Sequence, residues 1–334
     1  MADAPQTLAL TVLAQNYAGD IVRQINRSAA TLSILPVVKG EGKNCAWVAE
    51  GDGHIAENAS DGADAANFGS DEQLSAVLPW GIYRSNFRVT GLAQAAAGSS
   101  ATPQGNVALW ARNMINASAK LASALNAALY NGAGTGTTLA GLAVAVGDAT
   151  NTYAGLARGT YTYWRPNVND PGTPTAPTFA LIREDLREIY EACGEVPDVA
   201  FVKPDVFNKI GSLFDASRQY NYEITTAAGV KKLDASFGAI EFDGCMFIKD
   251  KDATANCITY LNTRHVRIEV LDPNPPAQSM AAKVGSSSEG ALPFGFTVEA
   301  LAKLGDSDRA QLKSYMQLVV DKPNSCGVRL NVSV

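Results

Sequence analysis

The spacing of hydrophobic positions changes along this chain, and each spacing marks an element. Over residues 103–131, Val107, Trp110, Met114, Ala117, Leu121, Leu125 and Ala128 recur at three- and four-residue steps, the stripe of an amphipathic helix. Arg112, Asn113, Asn116, Lys120 and Asn126 fall mostly off that stripe. Thr102 or Asn106 can supply an N-cap oxygen, Pro103 suits the first helical position, and Asn131-Gly132 predicts a left-handed stop. About 29 residues at 1.5 Å each give a rod of roughly 40 Å. Ahead of it the spacing is two. Lys43-Asn-Cys45-Ala-Trp47-Val-Ala49 alternates, and so does Leu74-Ser-Ala76-Val-Leu78-Pro-Trp80-Gly-Ile82. With a Gly/Ala/Asp/Ser tract between them, these runs predict two strands joined by a long tip. Pro79 and Gly81 place them on an edge or in a projecting ribbon.

The ribbon's charge is one-sided. Residues 44–83 contain no Lys or Arg, whereas Glu50, Asp52, Glu57, Asp61, Asp64, Asp71 and Glu72 are acidic. A lone two-stranded ribbon is marginal in water, and a tip of about twenty structureless residues is unusual within a compact domain. Two readings stand: a disordered surface loop, or an arm whose stabilising partner sits on another chain. Residues 1–38 carry Leu8, Val12, Leu13, Tyr17, Ile21 and Ile25, mostly four apart, and then an extended Thr31-Leu-Ser-Ile-Leu-Pro36-Val-Val. They predict an amphipathic arm that lies along something else.

After the long helix, Gly132-Ala-Gly-Thr-Gly-Thr-Thr has neither the spacing nor the lysine of a phosphate loop and reads as a turn. Residues 152–166 form an aromatic and arginine patch, and a Pro/Thr-rich linker follows. Thr178 caps a helix striped by Phe179, Ile182, Leu186, Ile189 and Cys193 and ended by Gly194. Val199-Ala-Phe-Val202 is a buried strand, and Pro204 opens a second helix. Asp243-Gly244 between two apolar runs signals a tight hairpin. Strand-like runs at 257–261, 265–271, 296–304, 311–320 and 328–332 complete an α+β layout without regular βαβ alternation.

Composition narrows the function classes. The 334 residues carry 27 basic and 33 acidic side chains, for a net charge of −6, which does not suit a general nucleic-acid binder. No run of about 18 apolar residues occurs, and the first residues lack a signal peptide's regions. Cys45, Cys193, Cys245, Cys257 and Cys326 are odd in number and far apart, as expected of reduced, mostly buried thiols. His54 and His265 are the two histidines, and no His-Glu-x-x-His, Cys-x-x-Cys or Gly-x-Ser-x-Gly is present. No catalytic, metal or cofactor site is expected. Arg158 and Arg165 among aromatics are read as packing residues before phosphate or base ligands.

Taken together, the arm, ribbon, long helix, Gly-rich turn, aromatic–arginine patch and α+β lobe resemble a known family. The residues that carry the likeness are Ala154-Gly155-Leu156-Ala157-Arg158 through Tyr161, Trp164-Arg165, Pro197-Asp-Val-Ala-Phe-Val-Lys-Pro204, Phe242-Asp-Gly-Cys-Met-Phe-Ile-Lys-Asp250, Tyr260-Leu-Asn262 and Tyr315-Met-Gln-Leu-Val-Val-Asp-Lys-Pro323. The order is similar to that of tailed-bacteriophage major capsid proteins of the Hong Kong 97 type, a fold shared with encapsulins and herpesvirus capsid floors. The resemblance implies an N-terminal arm at 1–38 and an extended β-hairpin loop at 39–92. It implies a peripheral domain holding the spine helix at 93–137 and 284–320, and an axial domain at 138–283 and 321–334.

It further implies self-assembly into pentamers and hexamers that form an icosahedral head shell around double-stranded DNA. Assembly is expected in the host cytoplasm, with a separate scaffolding protein, a portal and decoration proteins as partners, and without membrane or cofactor. Trp47, Leu78, Trp80 and Ile82 are expected to pack on an adjacent copy, and Glu50, Asp52, Asp71 and Glu72 to meet its basic groups. Some relatives crosslink a loop lysine to a neighbour's asparagine. Lys39 and Lys43 lie near the loop, but nothing fixes an acceptor and no crosslink is expected. An encapsulin-like compartment is the runner-up, and a β-rich binding module or an enzyme the rival from other classes.

Overall fold

A computed structural model of the chain describes residues 30–51, 53, 56, 58, 60–61, 69–98, 105–215, 239–271, 297–302 and 305–333. In chain order the first elements are α1 (Ala30–Ile34), β1 (Val37–Gly40), β2 (Asn44–Gly51), β3 (Glu72–Pro79), β4 (Gly81–Thr90), α2 (Gly91–Gly98), α3 (Gly105–Asn131) and α4 (Leu142–Ala145). Then come β5 (Thr152–Tyr153), β6 (Leu156–Ala157), β7 (Asn167–Asn169), α5 (Phe179–Cys193), β8 (Val199–Val202), α6 (Pro204–Asp215), β9 (Ala239–Phe242) and β10 (Cys245–Lys249). The last are β11 (Ile258–Leu261), β12 (Val266–Leu271), β13 (Thr297–Leu301), β14 (Ser307–Val320) and β15 (Gly327–Arg329). The mixture is α+β, and the chain forms two compact units.

The first unit contains Ile82–Asn126 and Val270–Tyr315. Here β13 runs antiparallel to β14, from Thr297 opposite Lys313 to Leu301 opposite Arg309, and β4 also pairs with β14. The start of α2 is pressed onto the β13–β14 turn: the Gly91 N–H donates to the Asp306 carbonyl at 2.9 Å. A Cβ on Gly91 would lie 2.1 Å from the Asp306 carboxylate, which would have to swing aside for a larger residue. The long helix α3 buries Ala117, Leu121 and Leu125, as its stripe predicts. Asn126, expected largely off the stripe, is buried as well.

In the second unit a six-stranded sheet has the order β7-β15-β11-β8-β10-β9. All four residues of β8 are buried, as befits a strand with neighbours on both edges. Helices α5 and α6 bury Ile182, Leu186, Ile189, Val206 and Ile210 with Phe247 and Tyr260 of the sheet. Local signals set the bounds of these elements. Thr178 Oγ1 accepts from the Leu181 N–H at 3.3 Å, and Gly194 ends α5 at φ 74°. Asp243 at φ 49° and Gly244 at φ 80° turn β9 into β10. Below the sheet surface Arg329 makes two 2.6 Å contacts with Asp185, which also accepts from Tyr260 Oη at 3.0 Å.

Two local expectations are corrected. Residues 30–34 are a helical turn, not an extended run. The reason is tertiary: the Thr31 N–H and hydroxyl donate to Asp250 Oδ2 at 3.1 and 2.8 Å, and the hydroxyl also meets Tyr130 Oη at the end of α3. The second correction concerns Gly132, which does not adopt a left-handed φ. It continues into the bridge between Ala133 and Ala140, and a Cβ there would lie 2.1 Å from the Leu139 carbonyl oxygen. Close backbone approach, not handedness, requires glycine. The expected arm helix within residues 1–29 lies outside the described residues.

Candidate assembly surface

Strands β2 and β3 pair in register from Asn44 opposite Pro79 to Gly51 opposite Glu72. Directly opposed residues in an antiparallel pair share a face, and burial sorts the ribbon's two faces. On one face Cys45, Ala49, Ala76 and Leu78 are buried and Trp47 and Leu74 half-buried. On the other, Ala46 opposite Val77, Val48 opposite Ser75, and Glu50 opposite Gln73 are all exposed.

The covered face rests on the aromatic–arginine patch. The β3 edge is tied to it by the Val77 N–H, which donates to the Ala154 carbonyl at 2.9 Å. Ala154 at φ 53° and Gly155 at φ 83° make the tight turn that presents that carbonyl. The Trp47 ring lies 6.3 Å from Tyr153, and Tyr153 stacks on Trp164 at 6.1 Å. At the far end of β2, a Cβ on Gly51 would sit 2.9 Å from the Tyr163 ring.

Arg158 holds this patch together from within. Its side chain is wholly buried, and its Nε donates to the Trp164 carbonyl and its Nη1 to the Val144 carbonyl, each at 3.1 Å. Further bonds reach the Asp148 and Ala145 carbonyls and Asn151 Oδ1. Among the described residues no carboxylate touches the guanidinium directly; carbonyl oxygens carry its charge. Burial pulls its pKa down to about 10, which leaves it charged at neutral pH. With its donors taken up this way, Arg158 is a packing residue and not a phosphate ligand. Arg165 is similarly engaged, donating from Nε to the Arg158 carbonyl at 2.7 Å.

The foot of the ribbon is pinned by backbone and side chains alike. Trp80 Nε1 donates to the Gly42 carbonyl at 3.1 Å, and its ring covers Gly40, where a Cβ would lie 2.3 Å away. Gln317 Nε2 donates to the Pro79 carbonyl at 2.7 Å while its Oε1 accepts from the Ala140 N–H at 2.8 Å. Cys45 Sγ points at Glu269 Oε2 at 2.7 Å, and a run of charges continues from there. Glu269 pairs with Arg267, Arg267 with Asp321, and Asp321 with His265. His265 in turn meets Glu195, which also takes Lys322 at 2.8 Å and Asn262 at 2.7 Å. The Lys322 hydrogen bond first, with Asn262 and His265 adding, holds the Glu195 carboxyl down to about 2. Burial and the neighbouring Glu269 push the Cys45 thiol well above its ordinary value, so it is inert.

The residues expected to meet a neighbour are thus divided. Glu50, Asp71, Glu72 and Ile82 are exposed, Trp47 is half-buried on its own patch, and Asp52 lies outside the described residues. Leu78 and Trp80 are only 5% and 7% exposed within their own chain. Ile82 belongs to β4 and not to the ribbon, because the alternating run breaks at Trp80. Val48 and Val77, 62% and 38% exposed, are the larger apolar side chains on the ribbon's outer face. Alternation marks two faces, but only tertiary packing decides which one meets solvent.

Among the described residues no group of His, Cys, Asp and Glu is placed to hold a metal ion. The small cleft beside Asp185, Tyr260 and Val328 holds about 10 Å³, room for one water at most. No helix among them is long and apolar enough to cross a membrane.

Comparisons with known proteins agree with this architecture. The capsid asymmetric unit of cyanophage A-1(L) superposes with a TM-score of 0.72 at 18% identity, covering 94% of this chain and 95% of that one. The SrpI encapsulin of Synechococcus elongatus PCC 7942 gives 0.61 at 13% identity over 97% and 95%. The capsid of a native GTA particle gives 0.59 at 14% identity over 94% of each chain. At such identities the likeness is one of fold, here the Hong Kong 97 type. No curated protein matches the chain in sequence. The profile of the SU10 major capsid protein family, however, matches residues 57–333. A chain with this fold and that match over most of its length belongs to the SU10 major capsid protein family, the tailed-phage proteins whose copies build the head shell.

Proposed function

We propose that copies of this chain associate as pentamers and hexamers into an icosahedral shell around double-stranded DNA, as structural units and not as enzymes. The two-faced ribbon carries the reading. One face is already seated on its own subunit, and the other leaves Ala46, Val48 and Val77 in water beside the Glu50 carboxylate. A surface of that kind suits a second copy. In this reading residues 39–92 form the extended loop, and 93–137 with 284–320 the peripheral domain. Residues 138–283 with 321–334 form the axial domain that meets around five- and six-fold axes, and 1–38 form the arm. Trp47, Glu50, Asp52, Asp71, Glu72 and Ile82 remain the proposed contact residues. The net charge of −6 suits an inner wall that holds DNA without gripping it. A scaffolding protein, a portal and decoration proteins are the partners, and assembly takes place in the host cytoplasm. The encapsulin likeness is one of fold; packaged DNA in purified particles, rather than protein cargo, distinguishes the two roles.

The test is a gradient and negative-stain comparison of wild type with Val48→Asp/Val77→Asp. Wild type is expected as uniform closed shells, and the variant as folded, slowly sedimenting subunits with an unchanged circular dichroism spectrum. A wild-type chain that persists as a compact monomer overturns the reading.

A further inference from the structure

From Gln73 to Gly147 the chain contains no Asp or Glu, and its charged residues there are Arg84, Arg88, Arg112 and Lys120. The net charge of −6 thus conceals a wholly cationic tract, whose four cations lie in the first unit on β4 and α3. They are not scattered. Exposure alternates along β4, and Arg84, Asn86 and Arg88 stand on its exposed side. On α3, Arg112, Asn116 and Lys120 are exposed at four-residue steps, which is one stripe of a helix. Each stripe reads cation, amide, cation. The steps are about 6.7 Å along the strand and about 6 Å along the helix.

Among the described residues none of these six side chains is hydrogen-bonded or ion-paired. Cations of the second unit differ: Arg183 is paired with Asp243, Arg187 with Glu191 and Lys251 with Asp252. The acids at the β13–β14 turn are turned to α2 instead. Asp308 accepts from Gln94 Nε2 at 2.8 Å, and the Asp306 carboxylate lies against Gly91. A row of cations without carboxylates repels its own kind and attracts a polyanion. Arg, Lys and Asn are also side chains that take phosphate oxygens, and contacts of that kind read no base. A duplex offers one phosphate per 3.4 Å of axis on each strand, so steps of about 6–7 Å meet phosphates wherever the duplex lies. The competing occupant is the acidic tract of a second copy, from Glu50 to Glu72. Its carboxylates fall at irregular intervals of one to seven residues and repeat at neither step.

We infer that the stripes Arg84-Asn86-Arg88 and Arg112-Asn116-Lys120 bind the phosphate backbone of double-stranded DNA without regard to sequence. The inference rests on the reading of the chain as a shell unit around DNA, and it names the surface that meets the duplex. Four cationic contacts hold weakly and reversibly, while the acidic remainder of the chain keeps the duplex off its other surfaces.

The experiment uses the full chain below the concentration at which shells form. It follows the fluorescence anisotropy of two labelled duplexes of unrelated sequence between about 50 and 200 mM salt. Wild type is expected to bind both alike, with log K falling against log salt at a slope of about −3.6 for four cations. Arg84→Gln/Arg88→Gln and Arg112→Gln/Lys120→Gln are each expected to reduce that slope by about 2 and to weaken both duplexes equally, with an unchanged circular dichroism spectrum. Arg183→Gln/Arg187→Gln removes cations that are already paired and binds like wild type. Absence of wild-type binding, an unchanged slope in either stripe variant, or a strong preference for one duplex overturns the inference. Stripe variants that bind duplex normally but fail to form shells overturn it too, and assign the cations to the acidic tract of another copy. Shell formation by wild type is scored separately on gradients. Shells without duplex binding sink the inference alone, and duplex binding without shells sinks the assembly reading alone.

Discussion

Arg158 shows how a single side chain can organise a surface that it never reaches. Its donors are consumed by carbonyls from residues 144–164, so the patch under the ribbon is locked from inside. Arg158→Leu leaves several buried carbonyls without donors and is expected to cost at least about 3 kcal/mol, read from the urea midpoint. A second residue-scale prediction concerns acid. The Glu195 carboxyl titrates near 2 in the folded chain against an ordinary 4.5, so the unfolded chain binds this proton more readily. Its contribution to stability is present above pH 4.5 and is lost as pH falls towards 2. The melting temperature of wild type should therefore drop more steeply than that of Glu195→Gln across that window. Sequence reading identified Arg158 as a packing residue from its aromatic company. The carbonyl cage was out of reach, because it depends on loop closure and not on spacing.

Elements with a period or a cap were the legible ones. The alternation of residues 43–49 and 74–82 was enough for the ribbon (though its second strand stops at Pro79), Asp243-Gly244 for the hairpin turn, and Thr178 with Gly194 for the bounds of α5. Where tertiary contacts set the backbone, the reading failed. Residues 30–34 coil because Asp250 takes both donors of Thr31, and no pattern within the segment announces it. Gly132 was read as a helix stop when its task is to admit a neighbouring carbonyl. That distinction can be tested. Gly132→Ala meets the Leu139 oxygen and is expected to cost of order 1–3 kcal/mol. Gly136→Ala has open space around its Cβ and pays only for its φ of 62°, about 1 kcal/mol. Thermal unfolding of the two variants should rank them in that order.

For the whole molecule, the fold class and the shell-forming family were legible from the order of elements, whereas which face of the ribbon meets solvent was not. Leu78 and Trp80 are covered by their own chain, and the smaller Val48 is the one in water. Burial on folding favours the larger side chains first, and what is left over for a neighbour is smaller. The thiols report on the same packing. Four of the five cysteines are buried and Cys193 is half-buried, with burial pushing Cys326 up to about 12. A thiol reagent should modify at most one site in the native chain and all five in urea.

The patch beneath the ribbon also bears on how fast shells can start. A hairpin that waved freely would have to surrender its motional freedom at the moment of docking, and early encounters between copies would mostly come apart. Clamped at its foot by Gln317 and Trp80 and along one side by Tyr153, it has given up much of that freedom before any other copy arrives. In the assembly proposed above, the subunit carries its half of the joint ready-made, which lowers the entropic barrier to the first ring.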